Sequence, residues 1–124
     1  MIYLKDGKIL LARSKGKEVF YLPGGKREQE ESDEQTLKRE VKEEMSCDLV
    51  EGSIKPFGIF QGQADGKVEG TIVMLRCYIA ELAQEPCANN EVEELRYFSA
   101  SDLIDVPETD WQIYHLLIER GLLK

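Results

Sequence analysis

The stretch from Pro23 to Cys47 constrains this chain more than any other. It opens with Pro23-Gly24-Gly25, a break that neither a helix nor a regular strand tolerates. A helix is predicted next, over residues 32–45, with Ser32 as N-cap and Gln35 three positions on in the capping-box arrangement. Leu37, Val41 and Met45 recur every fourth residue and predict one buried stripe. With Glu40 as origin, Glu43 lies about 60° to one side and Glu44 about 40° to the other. Leu37, Val41 and Met45 fill the adjacent arc, so the three carboxylates run along the edge of the core. Like charges at this spacing cost about 0.2–0.5 kcal/mol per pair. A divalent cation reverses that sign, because carboxylate oxygens and substrate phosphates hold Mg²⁺ together. Taken alone, the helix also reads as a solvated acidic face balanced by Lys38 and Lys42, and the Gly pair as a turn.

The charge distribution adds to the argument. Net charge is −8, and ten of the 24 acidic residues fall between Glu28 and Glu51, opposed there by Lys38, Arg39 and Lys42. Such a field repels a nucleic-acid backbone, which argues against duplex binding. It also repels a phosphate ester unless a cation stands between protein and ligand. That conflict is the first hint of a metal.

The 124 residues suit one domain spanning 1–124, with 42% hydrophobic and 32% charged residues. No apolar run approaches the roughly 20 residues that span a bilayer, and no basic segment leads into an apolar one as in a signal peptide. Cys47, Cys77 and Cys87 stand at no metal-ligand spacing and read as free thiols of a reducing cytosol, so a cytoplasmic location is expected.

Residues 2–13 predict two short strands joined at Asp6-Gly7. Ile9, Leu10 and Leu11 are apolar without alternation, as in a strand covered on both faces. Phe20-Tyr21-Leu22 follows a charged loop. Ile54 to Glu81 reads as a long hairpin turning at Asp65-Gly66, and the apolar run from Thr71 to Ala80 calls for cover on both sides. After a loop from Gln84 to Asn90 comes a strand near Leu95-Phe98. Pro107 and Gly121 bracket a last helix, where Trp111, Tyr114 and Ile118 share a face and Trp111 is expected in the core. His115 reads as structural or exposed. The expectation is an α/β fold with a mixed sheet and two main helices.

Together these residues resemble the box of the Nudix hydrolase family, residues 25–47 here. Its pattern is Gly, five residues, Glu, seven residues, then Arg-Glu-apolar-any-Glu-Glu-any-Gly-apolar. This chain has Gly25, Glu31, and Arg39-Glu40-Val41-Lys42-Glu43-Glu44-Met45-Ser46-Cys47 at those offsets, after a similar lead-in, Leu22 to Lys26. Leu10 to Arg13 upstream and Glu91 to Phe98 downstream also look like family features. Ser46 departs from the usual Gly at a left-handed helix end, a change worth about 1 kcal/mol. Glu30 stands where relatives often have Gly, and Cys47 fills the final apolar position.

The resemblance implies an α/β/α sandwich and a MutT-like enzyme that cleaves phosphoric anhydrides. Glu40 and Glu44 are implied ligands of Mg²⁺ or Mn²⁺, with Glu43 a further ligand or a base and the Gly25 carbonyl completing the set. Arg39 is implied to orient the acids, with Glu31 as its partner across the loop. Glu91 is the favoured general base among Glu91, Glu93 and Glu94. Lys26 and Arg13 are candidates for phosphate contacts, Gly24 for backbone approach to the ligand, and Tyr21 and Phe60 for stacking on a base. Residues 61–63 lack the Pro that marks ADP-ribose hydrolases and the Tyr of dinucleoside polyphosphate hydrolases. That leaves a nucleoside triphosphate, cleaved to monophosphate and pyrophosphate, as the default substrate. ADP-ribose, a nucleotide sugar and a capped RNA end stay open. A non-catalytic nucleotide-binding regulator is the other reading, although such domains usually lose box glutamates that this chain keeps. Dimers are common in the family, but no residue here argues for one.

Overall fold

The computed structural model describes residues 1–63, 70, 72–102 and 108–124. Along the chain run β1 (Leu4–Lys5), β2 (Lys8–Ser14), β3 (Phe20–Tyr21), helix α1 (Asp33–Met45), β4 (Lys55–Gln63), β5 (Ile72–Ile79), β6 (Val92–Phe98) and α2 (Glu108–Glu119). The Asp6-Gly7 turn sets both residues at positive φ, 54° and 76°, the twist that a two-residue hairpin needs. The expected turn at Asp65-Gly66 and the helix-opening Pro107 lie outside the described residues.

β2 organises the sheet. It pairs antiparallel with β1 and β3 and also with β6, from Ile9↔Phe98 to Ser14↔Val92. β4 and β5 form their own antiparallel hairpin. Ile2 ties the two sheets by a parallel bridge: its N–H donates to Tyr78 O at 2.7 Å and its carbonyl accepts from Ala80 N at 3.2 Å. The sheet is therefore mixed.

Ile9, Leu10, Leu11 and Ala12 are all at most 1% exposed, which bears out the two-sided cover expected of this strand. Ile9 and Leu11 pack with Ile113, Tyr114 and Leu117 of α2, whereas Leu10 packs with Leu37, Val41 and Met45 of α1. Alternate side chains of one strand thus meet different helices, and the layers are helix, sheet, helix.

Two burial expectations need correction. Met74, on β5, is 54% exposed, and Ile59, on β4, is 61% exposed. An apolar run shows that a strand tolerates burial, but cover depends on whether another element reaches it. Trp111 is likewise 46% exposed and not core; α2 buries Ile113, Tyr114 and Leu117 instead, while Trp111 leans toward the exposed His115. No helix among the described residues is long and apolar enough to cross a membrane.

Both ends of α1 are made as the sequence implied. Ser32 Oγ accepts from Gln35 N at 3.1 Å, and Gln35 Oε1 accepts from Ser32 N at 2.8 Å. At the other end Ser46 adopts φ 55°, ψ 33°, the left-handed geometry that favours Gly. The loop before β6 covers the last carbonyls: Cys87 N donates to Met45 O, Asn89 N to Glu44 O, and Asn90 Nδ2 to Glu43 O, all within 3.0 Å. These contacts answer the orphan acceptors of the final turn.

Candidate active site

The glycine loop lies against the acidic arc of α1. Gly24 N–H points at Glu44, 3.3 and 3.4 Å from its two carboxylate oxygens. Gly25 sits over Glu40; a Cβ there would come within 2.6 Å of both Glu40 oxygens. With Glu40 so placed, a Cβ would push its carboxylate aside, so the Gly pair lets two carboxylates lie close to main chain. Glu44 is 8% exposed. Burial is the main reason its carboxyl is pushed up to about 7, and the Glu40 and Glu43 charges add to the shift against the opposing Gly24 N–H and N-terminal ammonium.

Arg39 is the counter-charge. It grips Glu31 with two bonds, Nε to Oε2 at 2.8 Å and Nη2 to Oε1 at 3.0 Å. Its Nη1 reaches Glu40 Oε1 at 2.7 Å and lies 3.5 Å from Glu43, while Nη2 donates to the Lys26 carbonyl at 3.1 Å. Glu31 in turn accepts from Glu28 N and Thr36 Oγ1. The Arg39 bonds hold the Glu31 carboxyl down at about 2, and the same partner pushes the Arg39 guanidinium upward. This planar, bidentate match is one that lysine cannot reproduce.

Tyr21 and Glu91 stand beside this cluster. The Tyr21 hydroxyl lies 2.7 Å from Ser14 Oγ. Its proton is held more tightly than usual, by burial first and then by the Glu44, Glu40 and Glu91 charges, against a lowering from the Ser14 bond. Glu91 is exposed, and its carbonyl accepts from Lys15 N at 2.9 Å.

Other candidates are placed elsewhere. Arg13 donates to Glu94 at 3.1 and 3.2 Å, to Glu93 at 3.3 Å and to the Lys17 carbonyl at 2.9 Å. Phe20 shares its surroundings and packs into the α2-side core, so Arg13 is turned from the box carboxylates. Phe60 stacks on Phe57 in that same core. The Lys26 side chain is exposed, and His115 pairs with Glu119 on the surface. Cys47 is buried and Cys87 exposed, both as free thiols. Sequence reasoning missed Ser14, Thr36 and the Asn89-Asn90 backstop of α1. Only the last left a trace, as an Asn pair in a loop.

Carboxylates with a backbone carbonyl are the hard oxygen donors that Mg²⁺ and Mn²⁺ take. The fit is to a cluster not drawn into a cage: among the described residues no three acidic, His or Cys side chains converge on one point. Arg39 stands between Glu40 and Glu43 instead.

A family profile described as the NUDIX domain matches residues 1–119. The fold is similar to that of the E. coli ORF135 protein (25% identity, TM-score 0.75, covering 95% of this chain and 84% of that one). It is also similar to a MutT NUDIX hydrolase from Burkholderia pseudomallei (24% identity, TM-score 0.74, 91% and 89% covered). A bifunctional NMN adenylyltransferase/ADP ribose pyrophosphatase from Francisella tularensis, complexed with AMP and Mn ion, aligns at 18% identity and TM-score 0.67, over 97% of this chain and 40% of that one. No curated protein matches the chain in sequence. Its box, its sandwich and the profile match agree: the chain belongs to the Nudix family of hydrolases acting on phosphoric anhydrides.

Proposed function

We propose that this enzyme hydrolyses the diphosphate linkage of a nucleoside diphosphate joined to another group, with a nucleoside triphosphate giving the monophosphate and pyrophosphate. One observation carries the reading: Glu44 and Glu40 are seated on the Gly24-Gly25 backbone, and among the described residues no cationic side chain is bonded to the buried Glu44. A buried carboxylate left so is expensive. Bound there, Mg²⁺ or Mn²⁺ would add positive charge to that of the N-terminal ammonium, would make an acidic site receptive to phosphate and would supply Lewis-acid activation of water. Glu40, Glu43, Glu44 and the Gly25 carbonyl would hold it; the Francisella tularensis relative with AMP and Mn ion supports that choice.

Arg39, fixed by Glu31, keeps Glu40 aimed at the loop. Glu91 takes the proton of the attacking water; Glu93 and Glu94 are engaged with Arg13 and are the weaker choices for this role. Lys26 is the exposed cation for a phosphate contact at the loop, whereas Arg13 would first have to leave Glu93 and Glu94. The free thiols of Cys47 and Cys87 suit a cytoplasmic enzyme.

The test is phosphate release from nucleoside triphosphates, ADP-ribose and dinucleoside polyphosphates with Mg²⁺ or Mn²⁺, for the native chain and Glu44→Gln. Metal-dependent turnover that vanishes in the variant is expected. Turnover indifferent to metal and to Glu44 would overturn the reading. Glu91→Gln should lower kcat by about 10²-fold or more, and near-normal turnover would remove Glu91 as base.

A further inference from the structure

Arg13 and Ser14 are neighbours in sequence but belong to different surroundings. Arg13 lies with Phe20, Glu93 and Glu94. Ser14 meets Tyr21, whose neighbour Phe20 packs into the α2-side core. Successive strand residues point to opposite faces, so Tyr21 is on the α1 side, where the box carboxylates are. The register shift in the β2–β6 pairing falls between Arg13 and Ser14.

Strand order then sets three groups in a row. Tyr21 of β3 lies across from Ala12 of β2, Ser14 pairs with Val92 of β6, and Glu91 precedes Val92 with its carbonyl on Lys15 N. Tyr21 also precedes Gly24 by three residues, so their Cα atoms are at most about 10 Å apart. A nucleoside whose phosphates lie at the glycine loop can therefore reach the pair.

We propose that Ser14 and Tyr21 are a specificity-determining pair that reads a neutral hydrogen-bonding edge of the substrate's nucleoside while the box acts on its phosphates. This rests on the hydrolase reading above. Two hydroxyls sharing one hydrogen bond keep one further donor and several acceptor lone pairs. Neither is charged, and the Glu44, Glu40 and Glu91 charges each strengthen the phenol's hold on its proton, so an anionic group is disfavoured there. An amide, carbonyl or hydroxyl edge fits. A site built from half-buried hydroxyls rejects a ligand that leaves them unpaired. The pair is not needed to hold β2 to β3, since Ala12↔Tyr21 and Arg13↔Phe20 already set that register.

The test is calorimetric titration, with Mg²⁺, of the native chain, Ser14→Ala, Tyr21→Phe and the double variant. The probes are the α,β-methylene analogues of ATP, GTP, CTP and UTP, and methylenediphosphonate, which has no nucleoside. The native chain should prefer one nucleotide. Each single variant should weaken that nucleotide about tenfold, the double little further, and methylenediphosphonate should bind all four proteins alike. Native discrimination that survives in the variants, or an equal loss for methylenediphosphonate, would overturn the pair's role and leave the hydrolase reading standing. A native chain that binds methylenediphosphonate but no nucleotide would overturn the nucleoside reading itself, and the pair's role with it.

Discussion

The two helices cover opposite faces of the sheet, and only one of them bears the box acids. α2 presents Ile113, Tyr114 and Leu117, all fully buried, to Ile9, Leu11 and Phe98. α1 buries Leu37, Val41 and Met45 in the same manner but sets Glu44 beside them at 8% exposure. An apolar residue there would pack better than a carboxyl raised to about 7. The α2 face is apolar where it meets the sheet; the α1 face sets acids beside its apolar stripe, against the glycine loop.

Two substitutions would sharpen that contrast. Glu44→Gln should lower turnover by about 10³-fold with no loss of the urea midpoint measured without metal. Leu117→Ala should cost about 2–5 kcal/mol of unfolding free energy, read from urea denaturation, with kcat per folded molecule unchanged. If Glu44→Gln unfolded the chain, or Leu117→Ala cut kcat in the folded protein, the division between the faces would fail.

Within the α1 face, the Glu31–Arg39 pair makes a smaller, pH-dependent prediction. Glu31 is held at about 2 in the fold, against an ordinary value of 4.5. A carboxyl lowered on folding adds stability that is full above the unfolded value and is lost as pH falls through the folded one. The native chain should therefore lose stability between pH 4.5 and 2, and Glu31→Gln should start lower at pH 6 and fall less steeply. Asp33, lowered by its Tyr78 hydrogen bond, keeps some slope in the variant. Thermal midpoints from pH 6 to pH 2 check this; parallel curves would refute it.

What could be read in advance was what neighbours along the chain determine. The Ser32–Gln35 capping box and the stripe of Leu37, Val41 and Met45 are local patterns, and both are present in the structure. The Asp6-Gly7 turn is legible for the same reason. Exposure of Met74 and Trp111 was not, because it depends on where other elements end. Arg13 resembled a phosphate contact until partners about 80 residues away claimed it. Ser14 means nothing without Tyr21 across the strand. Gly25 was expected to offer its carbonyl to a metal; that its Cα also lies against the Glu40 carboxylate is a contact no local pattern announces.

The smallest prediction concerns how the two helices end. α2 stops at Gly121, φ 73°, where glycine meets no Cβ penalty. α1 ends on Ser46 at φ 55°, and the loop leading into it carries Glu30 at φ 70°. Each left-handed L-residue costs about 1–2 kcal/mol. A glycine recovers this less about 0.4–1 kcal/mol of added unfolded-state entropy. Ser46→Gly and Glu30→Gly should thus each stabilise by about 0.5–1 kcal/mol, and by their sum together, since the two sites lie beyond opposite ends of α1. Urea midpoints measure the gain, and kcat decides its meaning. Unchanged kcat would make both residues tolerated strain that α2 avoids. A fall in kcat confined to Glu30→Gly would show that the stiffer residue holds the glycine loop in place, adding loop geometry to what the α1 face gains at the expense of stability.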